Sequence, residues 1–220
     1  MIVHMNWSKH RGGGEGRRGY HHGNLREALI RGALALIAEK GPAGFTIADA
    51  ARSAGVSPAA PYRHFRDRDD LMADVARLGF EEFATRLAAA WNDGRPDPMR
   101  AFEAVGKAYL AFARDEPAFY AAMFEAGTPA EPTPELRQAG DRAFAVLRDA
   151  SEAISLSLPK EKRPPPTMMA LHVWAIAHGI ASLFGKGRRK TPMSPDELLE
   201  AAILVYLQGL GIGPGVGSPA

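Results

Sequence analysis

The 220-residue sequence contains no cysteine, so it holds neither a disulfide framework nor a thiolate for zinc binding or nucleophilic catalysis. It also lacks a run approaching the roughly 20 apolar residues that a membrane-spanning helix needs. Its N-terminal residues are polar, basic and rich in glycine, and no apolar segment follows them, so they do not resemble a secretory signal. These absences predict a cytoplasmic protein without a membrane partner.

The usual signatures of an enzyme are missing as well. The sequence has no glycine-rich phosphate loop, no carboxylate–histidine metal motif and no nucleophile placed beside a base. Hydrophobic residues make up 46% and charged residues 24%, as in ordinary globular proteins. We therefore expect no cofactor, no metal and no catalysis, and we keep a helical enzyme only as the weakest alternative.

Charge is distributed unevenly along the chain. Residues 1–70 hold 11 Lys and Arg against 7 Asp and Glu, whereas residues 71–220 hold 16 against 18. Five of the seven histidines also lie in the first 70 residues. A basic N-terminal region before a mildly acidic remainder is typical of a DNA-binding head on a separate body.

Residues 46–65, TIADAARSAGVSPAAPYRHF, have the layout of a helix-turn-helix. A short helix starts at Thr46, and Gly55 provides a turn because glycine tolerates positive φ. Ser57 is a good N-cap for a second helix, and Pro58 suits its first position. Pro61 is unexpected there, because proline removes a helical hydrogen bond and should tighten or bend the first turn.

Periodicity over the rest of the chain predicts an all-α protein with nine helices and no strand. Their approximate ranges are 20–40, 46–54, a recognition helix from 57, 68–92, 97–115, 117–126, 135–156, 167–185 and 194–210. The corresponding domains are a flexible basic arm (1–19), a head (20–68), a body (69–212) and a flexible tail (213–220). The arm either contacts DNA or is a solvated tail.

The helix-turn-helix segment resembles the DNA-binding domain of the TetR family of bacterial transcriptional regulators. The resemblance spans about thirty residues, and the matching positions are Thr46, Ala50, Ala54, Gly55, Val56, Ser57, Tyr62, His64, Phe65, Arg68 and Leu71. Farther along, Trp174, His178 and Gly179 resemble the Trp-x-x-x-His-Gly signature of one subgroup. The resemblance implies nine-helix subunits that dimerise on operator DNA and release it when a small molecule binds the body.

The candidate DNA-binding residues lie in or beside the helix-turn-helix. Ser57, Ala59 and Ala60 would face the major groove, where such short side chains read few bases, so DNA shape should contribute to specificity. The family resemblance points Tyr62 and His64 at the DNA backbone. The full set is Thr46, Ser57, Pro58, Ala59, Ala60, Tyr62, Arg63, His64 and Arg68.

The body is rich in aromatic residues, some of which we expect to line a pocket for an apolar or aromatic effector. The pocket candidates are Phe102, Tyr109, Phe119, Phe124, Phe144, Trp174 and His178. Trp174 and His178 lie one helical turn apart, so they share a face. Packing or dimerisation explains this pair best, a pocket is possible, and a metal site lacks a third ligand at helical spacing.

The last two predicted helices are the candidates for a dimer interface. The helix near the C-terminus is apolar on more than one side and must be covered on more than one side. Ala175 and Gly179 form a pair of small residues suited to close helix packing. The candidate interface residues are Ala175, Gly179, Leu198, Ala202, Val205 and Gly209. A two-fold dimer of this kind predicts a palindromic operator.

The sequence thus predicts a ligand-responsive repressor with three partners: double-stranded operator DNA, a small-molecule effector and a second copy of the chain. An effector-independent DNA-binding dimer is the main alternative. The head does not separate these two functions, because both use the same helix-turn-helix.

Overall fold

The computed structural model describes residues 25–127, 132–184 and 192–212, which are all-α. The predicted arm (1–19), the tail (213–220) and residues 20–24 of the first predicted helix lie outside the described residues. The eight α-helices are α1 Leu25–Lys40, α2 Ile47–Ser53, α3 Arg68–Trp91, α4 Pro98–Asp115, α5 Pro117–Phe124, α6 Pro134–Ser155, α7 Pro166–Phe184 and α8 Pro195–Gly209. Short 3₁₀ turns cover Pro61–Arg63, Asn92–Gly94 and Lys160–Lys162.

The prediction of nine helices differs from the structure at the recognition helix. The expected helix from Ser57 is a series of tight turns that ends in the 3₁₀ turn Pro61–Arg63. Pro61 has no N–H to donate to the Ser57 carbonyl, and the Ala60 N–H donates to that carbonyl instead, at 3.0 Å. The described residues therefore contain eight α-helices, and a 3₁₀ turn replaces the ninth.

Local sequence signals set most of the other helix boundaries. Five helices of the body, α4 to α8, begin with proline, which needs no hydrogen-bond acceptor at the first position. The Asp67 carboxylate caps α3 by accepting from the Asp70 N–H at 2.8 Å. Helix α3 ends at Trp91 after 24 residues, or about 36 Å, because the next residue, Asn92, has a left-handed backbone (φ 44°).

Two hydrophobic cores lie along α3, one near each end. The head core combines α1 and α2 with the first turns of α3, including Leu29, Phe65 and Leu71. The body core combines the later part of α3 with α4, α6, α7 and α8. Ala121 and Ala122 of α5 complete the head core, so a helix of the body closes the head. The domain boundary at residue 68 stays a prediction, although Leu71 and Val75 belong to the head core.

Helix α7 is long and apolar enough, by length and composition alone, to cross a membrane. This result departs from the expectation that no segment would approach a membrane span. Met169, Val173, Ala177 and Ile180 of the same helix are buried in the body core. Packing in that core accounts for the apolar composition of this face of α7.

Candidate nucleic-acid interface and ligand site

Thr46 fixes the start of α2 through a capping box. Its hydroxyl accepts from the Asp49 N–H at 3.2 Å, and the Asp49 carboxylate accepts from the Thr46 N–H at 2.9 Å. The hydrogen bonds from Thr46 lower the pKa of Asp49, so this carboxylate is charged at neutral pH. Thr46 is exposed, but its hydroxyl already holds the helix end.

The segment from Ser57 to His64 presents an exposed edge of the head. Gly55 turns the chain out of α2 with φ of 70°. Ser57, Pro58 and Ala59 are exposed and Ala60 is half-buried. The sequence-predicted groove residues therefore stand together at the surface, but on turns rather than on a helix.

The 3₁₀ turn places three exposed side chains after these small residues. Tyr62 is 60% exposed, which is unusual for a large aromatic ring, and Arg63 and His64 are exposed as well. Pro61 and Phe65, on either side, are buried in the head and hold the turn in place. The same turn therefore both anchors the segment and displays Tyr62, Arg63 and His64.

Arg68 has a different environment from the other predicted DNA-binding residues. Its Nε donates to the Phe45 carbonyl at 3.0 Å, and its Nη2 donates to the Pro42 carbonyl. The guanidinium also lies over the Phe45 ring, 5.1 Å from the centroid. These contacts give Arg68 a structural role in the head, and its contact with DNA stays a prediction.

Other arginines of the head are better placed to attract phosphate. Arg63 has no carboxylate within ion-pair distance among the described residues. Arg66 is largely exposed and makes only a 3.6 Å ion pair with Asp70. Sequence reasoning omitted Arg66, although its place beside the Tyr-Arg-His-Phe motif is a usable signal.

In the body, His178 lies at the centre of an aromatic cluster. The hydroxyls of Tyr120 and Tyr109 lie 2.8 and 3.1 Å from its Nδ1, and the Ser182 hydroxyl lies 3.4 Å from its Nε2. Burial lowers the pKa of His178, against the effect of Glu125, which raises it. Burial therefore favours the neutral ring at pH 7.

The predicted pocket residues of the body pack against one another. Phe102 and Tyr109 are buried in the body core. Phe119, Phe124, Phe144, Trp174 and His178 are half-buried, and Trp174 contacts the rings of Phe124 and Phe144 at 6.3 and 5.3 Å between centroids. Tyr120 and Ser182, which belong to the same cluster, were not among the predicted residues.

A cavity in the described part of the chain lies elsewhere, between α3, α5 and α6. Its volume is about 490 Å³, within the usual range for small-molecule sites. It lies beside the head, and its lining includes Met72, Ala73, Ala76, Phe80, Ala122, Met123, Leu136, Arg137, Gly140 and Arg68. None of the seven predicted pocket residues contributes to it, and their role in a ligand pocket stays a prediction.

An exposed apolar surface covers one side of α7 and α8. Val205 is 69% exposed, and Ala175 and Gly209 are exposed. Gly179 is half-buried, and a Cβ there would meet no atom within 4 Å. Leu198 and Ala202 are half-buried, and Leu198 packs on the body core. The exposed residues that sequence reasoning omitted are Met168, Leu171, Leu183 and Leu204.

The described residues contain no group of three histidine or acidic side chains that could hold a metal ion. His172 points to the neighbouring helix, where its Nδ1 lies 3.1 Å from the Tyr206 hydroxyl. His172 and His178 therefore do not lie in one cluster.

Comparison with known proteins identifies two domains. Residues 29–75 match the family described as bacterial regulatory proteins, tetR family, and residues 102–206 match a family described as tetracyclin repressor-like, C-terminal domain. The search of curated proteins returned no match. The relation to the Trp-x-x-x-His-Gly subgroup stays a prediction.

Solved structures share the fold over most of the chain. A protein with unknown function from a Rhodococcus species is 28% identical, with a TM-score of 0.74 over 88% of this chain and 98% of that chain. PfmR, a TetR family transcriptional regulator from Thermus thermophilus, is 20% identical, with a TM-score of 0.63 over 82% and 97%. AibR in complex with isovaleryl coenzyme A and operator DNA is 14% identical, with a TM-score of 0.62 over 82% and 96%.

Proposed function

We propose that this chain, which has the fold and both domains of a TetR-family transcriptional regulator, is a dimeric repressor of a palindromic operator. A small apolar molecule releases the operator by binding in the body. The protein acts in the cytoplasm, where it meets both DNA and metabolites. The regulators among its structural neighbours favour this role over an enzymatic one.

The observation that carries the DNA-binding role is the exposed edge from Ser57 to His64, within the segment that matches the family's DNA-binding domain. A tyrosine, an arginine and a histidine leave the head side by side there, over a buried proline and phenylalanine. Donors of this kind bind phosphate oxygens and fix the protein's register on the duplex. Tyr62, Arg63 and His64 are therefore the proposed phosphate contacts.

The small side chains before them supply limited base recognition. Ser57 has one hydroxyl to offer, and Ala59 and Ala60 offer only a methyl to thymine. Thr46 contributes indirectly, because its hydroxyl holds the start of α2. We expect DNA shape and deformability to provide the remaining specificity.

The proposed dimer forms through the apolar surface of α7 and α8. Leu171, Leu183, Leu204 and Val205 are large, exposed and apolar, a pattern that marks an interaction surface. Ala175, Gly179 and Gly209 allow the helices of two copies to approach closely. Two-fold pairing of the heads then requires an operator with inverted half-sites.

An effector-independent dimer stays the second candidate, because the aromatic side chains around His178 pack against one another and do not line the cavity between α3, α5 and α6. AibR, which has been solved with both a coenzyme A thioester and operator DNA, supports an effector for the shared fold. An effector screen separates the two: a ligand that raises the melting temperature and lowers operator affinity favours the repressor.

The test of DNA binding selects operators from a random duplex library and measures affinity by fluorescence anisotropy at several salt concentrations. Arg63→Gln should weaken binding to every sequence and reduce the salt slope by about one. The double variant Tyr62→Ala, His64→Ala should weaken binding at every salt concentration. Arg114→Gln, an exposed arginine of α4, is the matched control and should bind normally. Selection of no inverted repeat, or wild-type affinity in the head variants, would contradict the proposal.

A further inference from the structure

The cavity between α3, α5 and α6 owes its volume to small residues on all three elements. Ala73 and Ala76 of α3 face Ala122 of α5 and Gly140 of α6 across it. A Cβ added to Gly140 would meet no atom within 4 Å, so the glycine leaves open space. Large side chains at these positions would fill the volume, and their absence leaves about 490 Å³.

The inner walls of this cavity are apolar. Met72, Ala73, Ala76, Ala122 and Leu136 are buried. Phe80 and Met123 complete the lining with flexible or aromatic surface. A water-soluble, fully polar ligand would lose its hydration here without compensating hydrogen bonds. The walls therefore suit an aliphatic chain.

The charged lining residues are Arg68, Asp69 and Arg137, which together carry a net positive charge, and the exposed ones, Asp69 and Arg137, mark the mouth. Arg137 is exposed and has no ion pair among the described residues; its Nη2 makes only a 3.3 Å hydrogen bond to the Pro132 carbonyl. The acid of the mouth, Asp69, already pairs with Arg68 at 2.9 Å. Arg137 is thus the cation available to a ligand.

We propose that this cavity binds a straight-chain aliphatic carboxylate, with the chain against the alanine and methionine walls and the carboxylate on Arg137. Arginine suits this role because its planar guanidinium binds a carboxylate with two parallel hydrogen bonds. Straight-chain aliphatic carboxylates are a narrower class of effector than the apolar or aromatic molecules expected from the sequence. The site also differs from the aromatic cluster around His178.

The same cavity is connected to the DNA-binding head through Arg68. The coupling described here rests on the proposed function. Arg68 lines the cavity and also donates to the carbonyls of Pro42 and Phe45 in the loop before α2. A carboxylate held on Arg137 adds a negative charge to the same cavity, and this charge attracts the Arg68 guanidinium away from these carbonyls. Binding therefore loosens the loop that positions α2, and operator affinity falls.

Direct binding is measured on the full chain by isothermal titration calorimetry, with octanoate, decanoate and dodecanoate compared with the alcohols of equal chain length. The carboxylates should bind roughly tenfold more tightly than the alcohols, because the charged headgroup contributes a charge-assisted hydrogen bond. Equal affinity of acids and alcohols, or no binding of either, overturns the proposal.

Two pairs of variants locate the site. Gly140→Met fills the cavity while favouring the helix, so it should fold and reduce carboxylate affinity at least roughly tenfold. Gly140→Ala adds one methyl in open space and is its control. Arg137→Gln should remove the preference for the acid over the alcohol, whereas Arg148→Gln, another arginine of α6, should keep it. Unchanged binding in Gly140→Met overturns the location.

Operator release is a separate measurement. A carboxylate that binds the wild type should lower operator affinity, and the same ligand should have no effect on the Gly140→Met variant. Calorimetric binding without any change in DNA affinity would overturn the coupling through Arg68 and leave the site standing. If the ligand-free wild type does not bind operator DNA, the repressor function is contradicted. The ligand site is not contradicted by that result, because calorimetry measures it without DNA.

Discussion

The head and the body are stabilised by different kinds of side chain. Aliphatic residues and alanine dominate the head core, and its two buried aromatic rings, Phe45 and Phe65, lie at the edges of the helix-turn-helix. The body core contains Phe83, Phe102, Tyr109 and other rings, and Phe83 contacts Tyr109 edge-to-face. A core of small residues holds short helices close together, whereas a ring-filled core depends on the fit of a few large side chains.

This contrast has a functional consequence. The head has to present short backbone segments in a fixed geometry to DNA, and close helix packing serves that purpose. Gly32 of α1 illustrates it, because a Cβ there would lie 3.1 Å from the Ala50 carbonyl oxygen of α2. In the body, larger side chains span the wider spaces between the helices.

The largest effect should come from removing a ring of the body core. Phe83→Ala should lower the free energy of unfolding by about 3–5 kcal/mol, because Phe83 is 2% exposed and contacts Tyr109 and Phe112. Urea denaturation followed by circular dichroism measures this loss. Phe65→Ala provides the matching change in the head. If both variants unfold in one transition, the cores are cooperative; a separate early transition in Phe65→Ala would show that they are not.

An intermediate effect is expected at Asp74, the buried carboxylate that joins the two regions. Its Oδ1 accepts from Arg26 of α1 at 2.7 Å and from Arg77 of α3 at 3.0 Å. Asp74→Asn should cost about 1–3 kcal/mol, because charge-assisted hydrogen bonds to a buried group are lost. Asp115→Asn, an exposed partner of Arg114, is the control and should cost about 0–1 kcal/mol. Equal costs in chemical denaturation would argue against a link through Asp74.

A smaller effect is expected from two capping boxes, one in each region. Thr46→Ala and Ser194→Ala each remove a hydroxyl that accepts a backbone N–H at 3.2 Å, and each should cost about 1 kcal/mol. Thermal unfolding measures both costs. The head variant should also weaken DNA binding, whereas the body variant should not. Identical DNA affinities would contradict the indirect contribution of Thr46 to DNA binding.

The capping carboxylates give these boxes a pH dependence. Hydrogen bonds from the capping residues lower the pKa of Asp49 and of Glu197. The stability they contribute is therefore complete above the ordinary carboxyl range and is lost as pH falls through the lowered pKa. On acid titration, the two alanine variants should lose less stability than the wild type.

The smallest effect should appear at His178. Burial lowers its pKa in the folded state, so the unfolded chain takes up a proton at higher pH than the folded chain. Stability is then complete above the ordinary histidine range and falls as pH drops through that range toward the lowered pKa. His178→Gln should lack this component in melting curves recorded from pH 8 to 5. A variant with the wild-type pH profile would assign the effect to another group.

The sequence predicted the all-α class and most helix boundaries because their signals are local. Asp67, Ser194 and the first-position prolines act on neighbouring backbone, so one chain suffices to recognise them. The same local logic explains the error at the recognition helix. Ser57 and Pro58 favoured a helix start, but Pro61 three residues later prevents the hydrogen bond that would continue it.

The proposed ligand site and the proposed dimer surface depend on which faces meet in three dimensions. The aromatic residues of the body predicted a pocket, yet Trp174, Phe124 and Phe144 fill the space between their helices with one another. The cavity forms where small residues of three distant segments coincide, and alanine carries no sequence signal for that. On α8, apolar residues surround the helix, so periodicity alone did not show that Leu204 is exposed and Leu198 is half-buried.

The alanine pair of α5 in the head core bears on protein engineering. Ala121 and Ala122 come from the body yet close the core that supports the helix-turn-helix. A chimera that transplants residues 25–75 onto an unrelated body would lack these two alanines. Leu71 and Val75 would then become exposed and promote aggregation. Grafts of this head should therefore carry α5 with it, or supply two small residues at the same place.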